Sequence, residues 1–278
     1  MELSAQAVAE VVAGALHEDV GAGDRTTEAL VPRGAHCRAR LFIEELGVVC
    51  GMPVASEVFA ALDPAVSLVP LLAEGALIDS PPTAVADISG PARAVLTGER
   101  IALNLVARLS GVATLTRRYV DAVAGTGATI LDTRKTTPGL RALEKYAVRC
   151  GGGANHRLGL HDAILVKENH LRIAGGITAA ATALAGRADG VQVEVEAETQ
   201  AQVEEALAAG ISWILLDNMT PAEVGAAVAL VDGRAELEAS GGITLDNVRS
   251  YAETGVDFIS IGALTHSARS LHVSLEVE

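Results

Sequence analysis

After Gly125 the chain settles into a rhythm. Short apolar runs alternate with helical stretches at intervals of roughly 20 to 35 residues, a pattern that calls for a mainly parallel sheet. The runs cover residues 128–131, 163–166, 191–195, 211–216, 235–238 and 258–261. Helical stretches such as 199–209, 221–231 and 245–254 lie between them. A (β/α) barrel and a doubly wound sheet both satisfy this alternation. No GxGxxG follows the first run, which weighs against dinucleotide binding. The ends of the runs favour the barrel. The first leads into Asp132-Thr133-Arg134-Lys135, the second into Lys167, the third into Glu196 and the fourth into Asp217-Asn218. The fifth leads into Ser240-Gly241-Gly242 and the sixth into Gly262. In a parallel barrel all strand C-termini converge on the face where active sites are built.

The first hundred residues read differently, as α+β. An amphipathic helix over 4–16 leads into a polar loop, Glu18 to Asp24. Strand-like runs follow at 37–46, 66–72 and 92–96, the last behind the hairpin signal Ser89-Gly90-Pro91. From 98 to about 125 a helical stripe places Leu103, Val106, Leu109, Val112 and Leu115 at three-residue spacing.

Charge narrows the function. The chain carries 21 basic and 35 acidic side chains, a net of −14, and only 3% aromatics. Neither a basic footprint for nucleic acid nor a set of stacking platforms is present. With 50% hydrophobic and 20% charged residues the chain is not disordered. No run approaches the ~18 apolar residues of a membrane helix, and residues 1–21 show no basic leader, so no membrane partner is expected. Cys37, Cys50 and Cys150 are odd in number, far apart and without a CxxC, so neither a disulfide framework nor a zinc site is indicated. A cytoplasmic setting is expected.

Within this acidic chain, the window 132–172 is basic. It holds Arg134, Lys135, Arg141, Lys145, Arg149, Arg157, Lys167 and Arg172 against Asp132, Glu144, Asp162 and Glu168, a net of +4. Arg141 and Lys145, four apart in a helical stretch, read as a solvated face. Arg134, Lys135 and Lys167 directly follow apolar runs, which points to a pocket for a small polyanion. His156 and His266 sit in glycine-rich segments, unlike His17, His36 and His272, which read as structural or surface residues. Ser240-Gly241-Gly242 and Gly262-Ala263, after the last two runs, suit a monophosphate bound to backbone N–H groups. Glu194 and Glu196 share one strand face, and Asp217 ends the next run; such carboxylates hold Mg²⁺ or ribose hydroxyls, or pair with nearby lysines.

Several segments together resemble the quinolinate phosphoribosyltransferase family: Glu18 through Thr27, Gly98 through Asn104, Leu131 through Gly139, Gly151 through Arg157, Lys167-Glu168-Asn169-His170, Leu216 through Met219, and Glu238 through Ile243. They run in family order over nearly the whole chain; Glu168 stands where aspartate is common in the family. The resemblance implies an α/β protein. An N-terminal open α+β sandwich domain (1–103, joined by the tail 270–278) precedes an incomplete, roughly seven-stranded β/α barrel (104–269). It also implies a homodimer in which Arg100 is donated across the interface.

The implied substrates are quinolinate and phosphoribosyl pyrophosphate, with Mg²⁺ as cofactor. The implied products are nicotinate mononucleotide, pyrophosphate and CO₂. Arg100, Thr133, Arg134, His156, Arg157 and Lys167 would hold the diacid, and Lys135 would meet the diphosphate. Glu196 and Asp217 would face ribose and metal. Ser240, Gly241, Gly242, Ile261, Gly262, Ala263 and His266 would surround the 5′-phosphate. Lys135, Lys167, Glu196 and Asp217 are the expected catalytic set. Two other readings fit parts of the pattern: a Schiff-base aldolase built on Lys167, and a non-catalytic anion-binding module.

Overall fold

The structure is a computed structural model that describes residues 3–186 and 190–278. In chain order the first elements are α1 (Ala5–Asp19), α2 (Arg25–Leu30), β1 (His36–Ile43), β2 (Gly47–Val48), α3 (Met52–Leu62), β3 (Ser67–Pro70), β4 (Leu77–Ile78), β5 (Thr83–Pro91) and α4 (Ala92–Ala122). Then come β6 (Thr129–Leu131), α5 (Arg141–Cys150), β7 (Ile164–Val166), α6 (Glu168–Ala174), α7 (Ile177–Leu184), β8 (Val193–Ala197) and α8 (Gln200–Ala208). The last are β9 (Trp213–Asp217), α9 (Pro221–Val231), β10 (Glu236–Ser240), α10 (Val248–Ala252), β11 (Phe258–Ser260), α11 (Ala263–His266) and β12 (Val273–Val277). Among the described residues, no helix is long and apolar enough to cross a membrane.

Packing divides the chain into two compact units. The first comprises Met1–Arg117, Thr136–Gly152 and Leu264–Glu278; the second comprises Arg118–Lys135 and Gly153–Ala263. The sequence reading draws its line at 103/104, but that position lies inside α4, whose buried stripe of Leu103, Val106, Leu109 and Val112 runs on without a break.

The first unit is built on an antiparallel sheet in the order β12-β1-β5-β3. β12 pairs with β1 from Ala39↔Val277 to Ile43↔Val273, so a segment from far along the chain completes this sheet. Leu41 and Ile43 of β1 are fully buried, as are Val58 and Phe59 of α3. The strand expected at 92–96 is instead the first turn of α4. The extended segment ends at Pro91, and Ala-Arg-Ala-Val-Leu is a run of good helix formers. Proline just ahead of a helix costs nothing there, because the first N–H groups have no intrahelical partner.

Lys145, read as solvated, is buried on α5 beside fully buried Glu144. Glu144 binds the Arg108 guanidinium (2.7 Å) and accepts from the Thr137 backbone N–H (3.0 Å) and hydroxyl (2.8 Å). Arg108 also donates to the Ala268 carbonyl at 2.6 Å, so its charge is fully engaged inside this unit.

The second unit is a parallel sheet of six strands, ordered β6-β11-β10-β9-β8-β7. Ala154 extends it by one residue, forming a parallel bridge to Leu131 on the free edge of β6. Its N–H donates to the Ile130 carbonyl (2.8 Å), and its carbonyl accepts from Asp132 (3.2 Å). Among the described residues, six full strands and this single-residue remnant thus stand where roughly seven were expected. Ile130, Ile214, Leu216, Ala239 and Ile259 form the buried layer of the sheet. Glu168 opens α6, Thr199 and Thr220 cap α8 and α9 through capping boxes, and each helix therefore starts just past a strand end.

Candidate active site

The C-terminal ends of β6 to β10 border a cleft of about 660 Å³. Its wall includes Thr133, Arg134 and Lys135 after β6, His156 and Arg157 after the Ala154 bridge, and Lys167 after β7. Glu196, Asp217 and Ser240-Gly241-Gly242 come from β8, β9 and β10. The cleft therefore gathers eleven of the expected residues, drawn from six sheet positions. Ile261, Gly262 and Ala263 follow β11 but do not line it, and Ile261 is buried. His266 is exposed at the end of α11, bonded to the Ser267 hydroxyl (2.7 Å), and Arg100 is exposed on α4; neither lines the cleft.

A cationic wall is assembled by buried acids. Asp132 is fully buried at the end of β6. Its carboxylate accepts from Asn155 Nδ2 (2.6 Å) and from the His156 backbone N–H (3.0 Å), which fixes the segment that carries His156 and Arg157. The His156 ring donates from Nε2 to Glu194 (2.9 Å), with Glu238 3.5 Å away. Arg157 is anchored by one bond from Nη1 to the Ala163 carbonyl (3.0 Å). The Nε atoms of Arg134 and Arg157 are both buried without a hydrogen-bond partner. Burial and the neighbouring Arg134 charge hold the Arg157 guanidinium below its ordinary range. Two crowded guanidiniums with orphaned donors are a receptor for an anion, which would relieve both the repulsion and the unmet bonds.

Carboxylates face this wall. Glu196 takes the Lys167 ammonium at 3.1 Å and the Glu168 backbone N–H at 3.1 Å, the start of α6. The expected lysine pairing is thus present. Lys167 is half exposed in that pair, unlike the desolvated amine of a Schiff-base enzyme. Burial, and next the Glu196 charge, push the Asp217 carboxyl above its usual range. Their hard oxygen donors and mutual repulsion suit a divalent cation or a developing positive charge.

The turn after β10 is shaped for close approach. Gly241 and Gly242 both hold left-handed backbone, at φ 95° and 64°. A Cβ on Gly241 would collide with the Asn218 side chain, so only glycine fits there. Asn218, itself at φ 56°, gives its N–H to the Ser240 carbonyl (2.8 Å) and its side-chain amide to Asp217 (2.8 Å).

The sequence reading missed Glu238 and Ser260, which line the cleft floor and bond to each other. Burial, then the charge of Glu194, push the Glu238 carboxyl up to about 7. A signal for it existed: Glu238 stands two before Ser240 on one strand, the same phase that puts Glu194 two before Glu196. Glu168, Asn169 and Asn218 also border the cleft, as first residues after the strand-end Lys167 and Asp217.

Known proteins match the chain over nearly its whole length. Residues 24–110 match the family model described as "Quinolinate phosphoribosyl transferase, N-terminal domain", and residues 112–276 match its C-terminal counterpart. The chain is 44% identical over 263 residues to "Probable nicotinate-nucleotide pyrophosphorylase [carboxylating]" of Bacillus subtilis, covering 94% of this chain and 90% of that protein. It is 43% identical over 279 residues to "Nicotinate-nucleotide pyrophosphorylase [carboxylating]" of Mycobacterium leprae, covering 98% and 97%. Its fold is similar to the solved nicotinate-nucleotide pyrophosphorylase of Francisella tularensis, with a TM-score of 0.95, 37% identity, and coverage of 100% of this chain and 98% of that one.

Proposed function

Because the chain belongs to the quinolinate phosphoribosyltransferase family, we propose that it transfers phosphoribosyl from phosphoribosyl pyrophosphate to the ring nitrogen of quinolinate, in de novo NAD synthesis. The products are nicotinate mononucleotide, pyrophosphate and CO₂. The carrying observation is the pair of guanidiniums with buried, unmet Nε donors beside His156. That wall matches a rigid diacid whose two adjacent carboxylates need fixed cations.

Arg134, His156 and Arg157, with the Thr133 hydroxyl, hold the carboxylates and aim the ring nitrogen at the sugar. Lys167 joins them at the diacid, and Lys135 meets the diphosphate. As the C1–O bond to pyrophosphate breaks, the ribose becomes oxocarbenium-like, and Glu196 and Asp217 stabilise that charge. Gly241 and Gly242 leave backbone open for the 5′-phosphate. Once the nitrogen is quaternised, its positive charge stabilises the electron pair left on the adjacent ring carbon as CO₂ leaves; a proton from water then forms the C–H bond, so decarboxylation needs no further cofactor. Glu196 and Asp217 would hold Mg²⁺, which supplies neutralising charge for the diphosphate. Arg100, exposed on α4, reaches the site of a second subunit in a homodimer, and the enzyme works in the cytoplasm.

The test is direct. Purified protein with quinolinate, phosphoribosyl pyrophosphate and Mg²⁺ is expected to form nicotinate mononucleotide and CO₂ in equal amounts. A chelator is expected to stop turnover while quinolinate binding, followed by calorimetry, persists. No product at any metal concentration refutes the assignment.

A further inference from the structure

The first unit contains a second cluster of reactive side chains. Cys50 and Cys150 are distant in sequence, yet their sulfurs and a Glu74 carboxylate oxygen lie within 4.8 Å of one another. Cys50 is fully buried just ahead of α3. Ser110 clamps its backbone, accepting from the Cys50 N–H (3.0 Å) and donating to its carbonyl (3.0 Å). Cys150 closes α5 and is only partly buried. Its Sγ lies 3.9 Å from Glu74 Oε2. The backbone N–H groups of Gly51 and Met52 fix that carboxylate at the start of α3, at 2.8 Å and 2.9 Å.

We propose that Cys50 and Cys150 are a reactive dithiol, in which a hydroperoxide oxidises Cys150 and Cys50 then closes the pair to a disulfide. The roles follow from exposure. A partly accessible thiol meets the oxidant, and a buried neighbour resolves the product. A hydrogen bond from the Cys50 thiol holds Cys150 below its ordinary range, whereas burial pushes Cys50 well above it.

In the first step Glu74 takes the Cys150 proton. The thiolate attacks one peroxide oxygen and the O–O bond breaks. The departing oxygen carries the proton away as water or alcohol, leaving a sulfenic acid. The Cys50 sulfur then attacks the Cys150 sulfur, the S–O bond breaks, and hydroxide leaves with the Cys50 proton as water. The two thiols lose two electrons and the peroxide gains them. A small thiol reverses the bond by exchange.

Cys37, on β1, is an internal control because it lies outside the cluster. The folded full-length protein is treated with a small excess of hydrogen peroxide. Free thiols are then alkylated, and the digest is read by mass spectrometry without reduction. A linked Cys50–Cys150 peptide pair is expected in wild type and in Cys37→Ser, reversed by dithiothreitol and absent in Cys150→Ser. Three results overturn the proposal: Cys150 passing to sulfinic acid while Cys50 stays free, oxidation falling first on Cys37, or tightly held stoichiometric zinc that shields both thiols. The wild-type measurement stands whether or not the serine variants fold.

Discussion

On the proposed reading, the side chains of the cleft divide into those that touch a substrate and those that hold others in place. Arg157→Ala removes a guanidinium with an unmet donor, so quinolinate kcat/KM is expected to fall on the order of 10²-fold, as for lost charge-assisted bonds. Steady-state kinetics with each substrate varied checks this; an effect confined to phosphoribosyl pyrophosphate contradicts it. Glu238 makes a different prediction. Its folded pKa of about 7 lies above that of a free carboxyl, ~4.3, so the fold favours the protonated form. That contribution is whole below the free value and is lost as pH rises to about 7. Glu238→Gln keeps a neutral group, so its stability relative to wild type is expected to climb from pH 4 to 7, by at most about 4 kcal/mol, and then level off. Urea unfolding at pH 5 and pH 8 reads the difference; equal offsets at both refute it. The sequence displayed the residues at strand ends, because a charge directly after an apolar run has only one place to go. It hid Glu238, Ser260 and Lys145, whose burial comes from neighbours remote in sequence.

Secondary-structure elements were legible where periodicity was strong. Among the described residues, all six parallel strands fall at or within a few residues of their apolar runs, and helix α9 coincides with the helical stretch expected at 221–231. The errors came where local patterns compete. Residues 92–96 carry the apolar density of a strand but the composition of a helix, and continuity with the stripe of α4 decides for helix. At this scale the turn after β10 is the sensitive point. Gly241→Ala forces a left-handed alanine into the Asn218 side chain, a strain of about 1–3 kcal/mol before the collision is counted. The expected outcome is a raised KM for phosphoribosyl pyrophosphate with circular dichroism unchanged. A normal KM would mean that the phosphate does not use this turn.

For the whole molecule, the division into units was the least legible property, since it depends on contacts and not on pattern. The chain leaves the first unit at Arg118, returns to it for Thr136–Gly152 and again from Leu264. The proposed dimer is tested at this scale. Arg100→Ala and Arg157→Ala are each expected to keep only about a hundredth of the activity alone. Mixing them with subunit exchange is expected to restore up to about a quarter of the activity, since about half of the dimers are mixed and each of those holds one intact site of two. No recovery despite proven exchange rejects a shared site. The pairing of β12 with β1 also sets an order of events. Ser274 bonds to Glu44 from 230 positions further along. During synthesis, therefore, β1 leaves the ribosome with one flank bare and must wait for the entire second unit to emerge before its neighbour arrives. A nascent chain stalled within that unit would present this open edge to any chaperone at the exit tunnel.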